Sequence, residues 1–444
     1  MKKLSQKHRM KEQNGGKYRS FRELVDREKA DIVRECNSCG ACLQVCPVYR
    51  YTSFSHERPV AVQRKVLDAI KGKPNDVAQE MAYSCVYCAR CMKSCQLGLN
   101  PYHLQEILKA ELVIAGCKPT LPKPQIGRKV YDLKEVVQFL QIKPSQISWL
   151  NKVPAHPKQA DVVLFMGCSM RDMPEKSLAL VELLEMMEMD FVALSGGTLC
   201  CGGRYLRSGD ADKTDRVAGK FIPALNAFHP KKVAFTCGTC LYEVSKVFPA
   251  FTSVNFEPMH VVRLLAEEVH RLKFRKPVKA RVAIHDPCNL SRKGGDVESA
   301  RKLLSAVPGV TLVEMAHNKE DSLCCGSAAQ ETSPEIARTL RQRSLNEVRD
   351  TGAEIMATVC TGCHRSFSPC EKDFPFKIKN YINLVSEAAG LNYEDRLKKY
   401  LQMGDVDRII KEAGENIEAS PYSLEEYKKL LPLYFRPQMR AKTL

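Results

Sequence analysis

The stretch SGGTLCCGGR, residues 195–204, decides the fold: two adjacent cysteines, Cys200 and Cys201, stand between two pairs of glycines. A disulfide between sequence neighbours is strained, because their Cα atoms lie closer together than those of an ordinary bridged pair. Adjacent thiols therefore indicate a redox switch or a pair of metal ligands, unless their spacing is accidental. The distribution of the other cysteines separates these alternatives, since the chain contains 20 of them in 444 residues.

The pattern around these two cysteines occurs twice in the chain. Strand-like apolar segments alternate with helical segments, and the cysteines follow the predicted ends of the strands. Corresponding cysteines of the two copies are 120, 124 and 123 residues apart, which indicates an internal duplication of a β/α unit with a largely parallel sheet. The first quintet is Cys168, Cys200, Cys201, Cys237 and Cys240, and the second quintet is Cys288, Cys324, Cys325, Cys360 and Cys363.

Each quintet is predicted to bind an iron–sulfur cluster. The carboxyl ends of parallel strands gather ligands at one edge of a sheet, and the glycines let the backbone approach a bulky inorganic group. Five thiols exceed the four that an ordinary cubane uses, so adjacent thiols could bind neighbouring irons, or one thiol could bridge two. Zinc, a pair of catalytic disulfides, and one ordinary cubane with a spare cysteine in each half remain open alternatives.

Two further runs of cysteines precede the duplication. CNSCGACLQVCP, residues 36–47, and CVYCARCMKSC, residues 85–95, both have the spacing C-x2-C-x2-C-x3-C. The fourth cysteine of such a run ligates the neighbouring cluster. We therefore assign cluster one to Cys36, Cys39, Cys42 and Cys95, and cluster two to Cys85, Cys88, Cys91 and Cys46. Zinc sites usually pair separated knuckles rather than runs of four, so zinc and chance are the weaker alternatives.

These segments predict an α+β multidomain protein: an N-terminal helical domain, which resembles a dicluster ferredoxin module, followed by two duplicated α/β domains with mostly parallel sheets. The predicted organisation is a basic N-terminal arm (1–34), the helical dicluster domain (35–117), a Pro/Lys-rich linker (118–158), the first α/β domain (159–270), the second α/β domain (280–390) and a helical C-terminal tail (391–444). The arm is expected to be a partly disordered contact segment.

The composition limits the function further. The sequence has neither a secretory signal nor an apolar run of membrane-spanning length, so we expect a cytoplasmic protein, held at the membrane only through a partner. The formal net charge is +17. Four clusters would remove roughly 10 of these charges, and the remainder favours an acidic partner or an anionic membrane surface rather than nucleic acid. No nucleotide-binding glycine motif is present, so electrons must come from or go to another subunit.

The pattern C…CCG…C-x2-C, written twice behind a dicluster module, resembles the CCG-domain proteins. Over residues 30–390 the chain is similar to the D-type catalytic subunit of heterodisulfide reductase. The resemblance implies two cubane [4Fe–4S] clusters in the first module and two noncubane [4Fe–4S] clusters on the quintets, with a disulfide reduced between them. It also implies a flavoprotein or cytochrome b-type membrane subunit as the redox partner, and a small-molecule or protein disulfide as substrate.

The resemblance extends to a second class of protein. The iron–sulfur subunits of glycerol-3-phosphate, glycolate and lactate dehydrogenases have related sequences. Such a subunit passes electrons from a flavoprotein to a quinone or cytochrome and has no substrate of its own. Two intact quintets favour the disulfide reductase, because a relay needs only cubanes. Some relatives carry His directly after the first cysteine of the second quintet, where this chain has Asn289.

The predicted active site is the cleft between the two halves, lined by Cys200, Cys201, Cys324 and Cys325. His285 and Asp286, just before Cys288, and His364, just after Cys363, are expected near the second quintet, where they would support thiolates or supply protons. Arg204 and Arg292 are either binding groups for an acidic substrate or solvated charges. Cys117 and Cys370 have no counterpart in the duplication and are interpreted as inert core thiols.

Four complete ligand sets predict four clusters, and hence about 16 Fe per chain after anaerobic purification. Colorimetric iron analysis and EPR spectroscopy measure this content. About 8 Fe per chain with ordinary cubane spectra would contradict the noncubane assignment. Zinc in stoichiometric amounts would show that the thiol sets that hold the zinc do not bind iron.

Overall fold

The computed structural model describes residues 17–117, 125–126, 129–197, 199–330 and 332–435. The N-terminal part is helical, as its apolar periodicity predicts. Its helices are α1 (Phe21–Glu35), α2 (Ala41–Gln44), α3 (Pro59–Ile70), α4 (Asp76–Ser84) and α5 (Pro101–Ile114). Side chains that cap helix N-termini fix two of the boundaries: Asn75 accepts from the amide of Ala78, and Asn100 accepts from those of Tyr102 and His103. Helices α3, α4 and α5 pack against one another.

The prediction of a partly disordered N-terminal arm is wrong for the residues of helix α1 (Phe21–Glu35). Within the predicted arm, Phe21, Leu24, Val25 and Ile32 occupy one face of α1 and are buried against α3, α5 and the first α/β domain. Apolar residues at helical spacing bury one face even when the opposite face is charged, and the high charge of the segment concealed this pattern. Residues 1–16 of the predicted arm lie outside the described residues.

The predicted linker after α5 contains several short elements. These are β1 (Gln125–Ile126), β2 (Lys129–Val130), α6 (Leu133–Gln141) and α7 (Pro144–Ile147). Strands β1 and β2 pair in an antiparallel manner. Helix α6 begins at the cap Asp132, whose carboxylate accepts from the amide of Lys134.

The first α/β domain is built on a four-stranded parallel sheet. Its elements are β3 (Val162–Phe165), α8 (Pro174–Met186), β4 (Phe191–Leu194), α9 (Gly203–Arg207), α10 (Ala211–Asn226), β5 (Lys232–Phe235), α11 (Gly238–Tyr242), β6 (Glu257–His260) and α12 (Val261–Glu268). The strand order is β4-β3-β5-β6, and all neighbours are parallel. Three of these strands are predicted from the sequence, whereas the short, polar β6 is not.

The second α/β domain repeats this topology. Its elements are β7 (Ala280–His285), α13 (Cys288–Ser291), α14 (Ser299–Ser305), β8 (Val310–Val313), α15 (Pro334–Asp350), β9 (Ile355–Thr358), α16 (Thr361–Phe367), β10 (Lys377–Asn380) and α17 (Tyr381–Ala388). The strand order β8-β7-β9-β10 is equivalent to that of the first domain, and all strands are again parallel. The predicted fold class and the duplication are confirmed.

The segment after the second sheet forms α18 (Arg396–Met403), α19 (Val406–Glu412), α20 (Gly414–Glu418) and α21 (Leu424–Tyr434). These helices share a hydrophobic core of their own with α6, so the predicted linker and the predicted tail fold together rather than separately. Neither segment buries a complete apolar face alone, and each supplies the surface that the other lacks. In the parts of the chain that the structure describes, no helix has the length and apolar character to cross a membrane.

We expect Phe21→Ala to destabilise the protein by about 3–5 kcal/mol, because a large side chain that is 2% exposed leaves a cavity. The ring of Phe21 also makes an edge contact with that of Phe251, with centroids 5.9 Å apart. Arg27→Ala on the exposed face of α1 is the matched control and should change the free energy of unfolding by less than about 0.5 kcal/mol. Anaerobic denaturant titration measures both, and equal small effects would show that α1 is not part of the core.

Candidate iron–sulfur sites

The two N-terminal cysteine runs share an unusual backbone. In each run, the residues two and four positions after the first cysteine have positive φ angles: Ser38 (58°) and Gly40 (75°) in one, Tyr87 (50°) and Ala89 (59°) in the other. Side chains seldom adopt this left-handed conformation, and at non-glycine positions it indicates a backbone held in place for function. The repeated conformation gives both runs the same loop shape.

The first loop brings together the four thiols of predicted cluster one. Burial raises the pKa of the Cys42 thiol to about 12, and the neighbouring Cys36, Cys39 and Cys95 contribute to this increase. Cys95 belongs to the second run in sequence, so the exchange of the fourth cysteine between runs is present in space. Of these four residues Cys39 is exposed, which places this set nearest the surface.

The thiols of predicted cluster two surround one apolar cavity. Burial raises the pKa of the Cys46 thiol to about 12, with added effects of Cys88 and Cys85. The cavity is lined by Cys46, Cys85, Cys88 and Cys91, together with Cys42 from the neighbouring set and apolar side chains. Here too, a cysteine of one run lies among three from the other.

The first quintet forms a connected group of sulfur atoms beyond the ends of β3, β4 and β5. The Sγ atom of Cys240 lies 3.4 Å from that of Cys201. Cys201 also contacts Cys200, and Cys240 contacts Cys237. Cys168 lies near Cys237 and Cys201. All five predicted ligands are therefore brought together.

The second quintet repeats this arrangement residue for residue. Cys325 contacts Cys324 and Cys363, and Cys363 contacts Cys360. Cys288 lies near Cys325 and Cys360. In both quintets the glycine of the CCG sequence has a positive φ, and its amide donates to the sulfur of the first cysteine at 3.4 Å: Gly202 to Cys200, and Gly326 to Cys324.

The two members of each adjacent pair have opposite electrostatic behaviour. The pKa of Cys201 is held well below its usual range because the thiols of Cys200 and Cys240 donate hydrogen bonds to it. The pKa of Cys325 is lowered in the same way by Cys324 and Cys363. The donors Cys200 and Cys324 have raised pKa values because donating and burial both favour the neutral thiol. Hydrogen bonds from Cys240 and Cys363 likewise lower the pKa of Cys237 to about 6 and lower that of Cys360. Each quintet thus contains two readily formed thiolates, the form that binds iron.

The four thiol sets are neighbours in a defined order. Cys88 of the second N-terminal set lies close enough to Cys288 and Cys324 to raise their pKa values. On the other side of the second quintet, Cys237 of the first quintet has the same effect on Cys360. The order in space is therefore the thiols of predicted cluster one, those of predicted cluster two, the second quintet and the first quintet.

Comparison with known protein families agrees with this arrangement. The family model described as "Cysteine-rich domain" (CCG) matches residues 162–245 and again 282–368. The model described as "4Fe-4S dicluster domain" matches residues 32–99.

The chain contains two CCG domains behind a 4Fe–4S dicluster domain.

Its relatives are components of redox complexes. It is 28% identical over 393 residues to the D subunit of dihydromethanophenazine:CoB--CoM heterodisulfide reductase from Methanosarcina mazei, a match that covers 80% of this chain and 94% of the relative. It is 24% identical over 407 residues to the glycolate oxidase iron-sulfur subunit of Escherichia coli, covering 81% and 95% of the two chains. A crystal structure of a hypothetical protein from Helicobacter pylori has a TM-score of 0.45, with 9% identity and coverage of 85% and 78%.

The donor sets of the CCG domains and the dicluster domain fit iron–sulfur clusters. Thiols are the characteristic ligands of these clusters, and here they stand in sets of four and five. The buried Nδ1 atom of His285, beside Cys325, has no hydrogen-bond partner within the described residues, so it is free to interact with a bound group. In those same ranges no three or more His, Cys, Asp or Glu side chains are grouped to hold a metal ion. A cluster instead spreads its thiols over several irons.

The predicted second-quintet neighbours have different roles. His285 lies where expected, and its Nε2 atom is 3.2 Å from the carbonyl oxygen of Leu323. His364 does not serve as predicted, because its Nδ1 is 3.0 Å from the hydroxyl of Thr358 and its Nε2 is 2.7 Å from the carboxylate of Asp395. Both nitrogens are thus occupied by groups outside the quintet, and His364 positions the C-terminal segment.

Asp286, predicted beside His285, also has a structural role. Its carboxylate accepts two hydrogen bonds from the guanidinium of Arg301, at 2.8 and 2.9 Å, and one from the amide of Lys319 at 2.6 Å. These bonds hold the loop that leads to Cys324 against the end of β7. Arg301 escapes prediction from the sequence because it lies on α14, 15 residues from its partner.

The two candidate arginines have different environments. Arg204 is exposed and lies near Cys168. Arg292 is partly buried and donates to the carbonyl oxygen of Cys88 at 2.7 Å, and to those of Glu320 and Ser322 at 2.7 and 2.9 Å. Arg292 therefore ties the dicluster domain to the loop before Cys324. Of the two unassigned thiols, Cys370 is fully buried and Cys117 is partly buried.

A buried ionic junction joins the dicluster domain and both CCG domains, and no sequence pattern indicates it. Its members are the buried Glu106, Glu243 and Lys293 and the partly buried Arg207. Arg207 lies 3.5 Å from Glu106, and both Arg207 and Lys293 donate to the hydroxyl of Tyr102, at 2.6 and 2.8 Å. Burial raises the pKa of Glu243 to about 8 and lowers that of Lys293 to about 8.

We expect Gly196→Ala to disrupt the first quintet. The added Cβ would lie 2.2 Å from the backbone nitrogen of Cys168 and 2.3 Å from the carbonyl carbon of Gly167, and backbone atoms cannot move away as a flexible side chain can. The variant should lose the iron of that site, measured by iron content and EPR spectroscopy.

Gly219→Ala on α10 is the matched control, since its Cβ would meet nothing within 4 Å. It should keep its iron and gain a little stability from the better helix former. Full iron content in Gly196→Ala would mean that Cys168 does not need this close backbone contact.

Proposed function

We propose that this protein is the iron–sulfur subunit of a heterodisulfide-reductase-like complex. Electrons pass through two cubane clusters in the dicluster domain to two noncubane clusters on the CCG quintets, where a disulfide is reduced. The observation that carries the proposal is the facing arrangement of the quintets, in which Cys237 of one and Cys360 of the other are neighbours. Two equivalent thiol sets thus lie next to each other at the contact between the CCG domains.

The chemistry explains why two equivalent sites are useful. Reduction breaks the S–S bond of R–S–S–R′, takes up two electrons and two protons, and gives R–SH and R′–SH. Iron–sulfur clusters supply one electron each, and their irons bind thiolates. Each of the two quintets of this chain would hold one sulfur atom of the disulfide. Neither sulfur atom then has to persist in a half-reduced state between the first and the second electron. The electrons come from a flavoprotein or cytochrome partner, and the protons come from solvent.

The electron path is supported by the order of the thiol sets. The exposure of Cys39 supports the approach of a partner to cluster one, and the proximity of Cys88 to Cys324 supports electron transfer from cluster two to the second quintet. His285 would stabilise the second site through its unpartnered Nδ1 atom. Asn289, whose side chain donates to the hydroxyl of Thr239 at 3.1 Å, bridges the two CCG domains and has no titratable proton to give.

The names of the relatives support both a reductase and a relay. The D subunit of heterodisulfide reductase favours disulfide reduction, whereas the glycolate oxidase iron-sulfur subunit and the EtfAB:quinone oxidoreductase of Syntrophomonas wolfei favour electron transfer from a flavoprotein. The intact second quintet favours the reductase, since a relay needs no second site of the same kind.

We expect thiol release from a disulfide when the protein is supplied with reduced viologen under anaerobic conditions. Cys201→Ala and Cys325→Ala should each abolish it, because each removes the central thiolate of a quintet. The EPR signals of the two cubanes should persist in both variants. Free thiol is measured colorimetrically after removal of the dye.

Cys117→Ala is the matched control, because this thiol belongs to neither quintet, and it should leave thiol release unchanged. A panel of disulfides that gives no thiol, with undiminished electron transfer to a quinone analogue in Cys201→Ala and Cys325→Ala, would replace the reductase with the relay.

A further inference from the structure

A second cavity lies between the dicluster domain and the second CCG domain, beside Cys324 of the second quintet. Its volume is about 410 Å³. Cys46 and Cys88 line it from the dicluster domain, and Cys324 lines it from the CCG domain. These residues do not form the ligand set of any one cluster, since Cys85, Cys91, Cys288 and Cys325 are not among the lining residues. The cavity therefore borders predicted cluster two and the second quintet without enclosing the full thiol set of either.

Four arginines line this cavity: Arg50, Arg90, Arg292 and Arg343. Arg90 and Arg292 donate to carbonyl oxygens and a hydroxyl, and they have no carboxylate partner within the described residues. In the same part of the chain, the side chains of Arg50 and Arg343 have neither a hydrogen bond nor an ion pair. Their guanidinium groups therefore keep all their donors available for a ligand.

The remaining charges of the cavity do not balance these arginines. Lys93 and His317 also line it, but each pairs with its own carboxylate, Glu320 and Glu347 respectively. Asp321 is the one acidic residue in the lining, as far as the described residues show. Four guanidiniums against one carboxylate leave a strongly positive surface around a concave space.

We propose that this cavity binds a small organic anion that carries two or more carboxylate or phosphate groups. Guanidinium groups bind planar oxyanions through paired hydrogen bonds, and several of them converging on one space favour a ligand with several anionic groups. A volume of about 400 Å³ lies within the range of roughly 300–1,000 Å³ that is typical of small-molecule sites. The binding step does not depend on the disulfide chemistry proposed above.

The position of the cavity gives the ligand a consequence for electron transfer. An anion held by these arginines would lie beside Cys88 and Cys324, the residues through which cluster two and the second quintet approach each other. Added negative charge disfavours a further electron on a nearby centre. A bound anion therefore lowers the midpoint potentials of the two neighbouring centres. Electron transfer between them then depends on whether the ligand is bound.

Anaerobic isothermal titration calorimetry on the cluster-loaded protein, at low ionic strength, tests the site. The probes are tricarballylate, a tricarboxylate, and inorganic pyrophosphate, so that the two arms distinguish carboxylate from phosphate ligands. The double variant Arg50→Gln/Arg343→Gln should bind the preferred probe at least tenfold more weakly. Iron analysis of the variant verifies that it still carries its clusters, which is expected because neither side chain has a hydrogen bond or ion pair to lose within the described residues.

The charge-matched control is Arg216→Gln/Lys220→Gln on the exposed face of α10, which should bind as the unchanged protein does. Dye-mediated redox titration gives the second readout: saturating probe should lower the midpoint potentials in the unchanged protein and the control, but not in the cavity variant. Absence of binding by both probes, or equal binding by the cavity variant and the control, would overturn the proposal and leave the arginines as counter-charges of the clusters.

Discussion

Parallel pairing of the central strands is the constraint on which the rest of the structure depends. Strands β3, β4 and β5 run in the same direction and in register, so the residues that follow Phe165, Leu194 and Phe235 all emerge at one edge of the sheet. The cysteines of the first quintet come from these three points, although 72 residues separate the first from the last. Antiparallel pairing would have sent some of them to the opposite edge. The second sheet meets the same requirement with its own strands.

Burial of the thiols sets the electrostatic conditions at all four sites. Burial is the main reason that the pKa values of Cys46 and Cys288 rise to about 12, which opposes formation of the thiolates that iron requires. Binding of a metal to such thiols must release their protons, and the binding free energy then contributes to folding. The quintets reduce this cost locally, because hydrogen bonds from neighbouring thiols favour the thiolate at Cys201 and Cys325.

The parts of the molecule that are encoded by spacing could be predicted from the sequence. The cysteine runs, the duplication and the exchange of Cys46 and Cys95 between the N-terminal sets follow from local patterns, and the structure brings the predicted thiols together. What escaped prediction depends on distant partners. The role of His364 is decided by Asp395, and that of Arg292 by carbonyl groups of two other segments. Helix α6 and the C-terminal helices complete one another across more than 250 residues, so neither segment could be recognised as part of a shared core.

The ionic junction around Tyr102 has a mechanical consequence. Glu106 comes from the dicluster domain, Arg207 and Glu243 from the first CCG domain, and Lys293 from the second. Separating any one domain would leave buried charges without their partners, at a cost of several kcal/mol. The junction therefore opposes hinge motion between the dicluster domain and the two CCG domains, and it favours constant distances between their thiol sets. For the proposed electron path this means that any motion during turnover would fall to the partner subunits rather than to this chain.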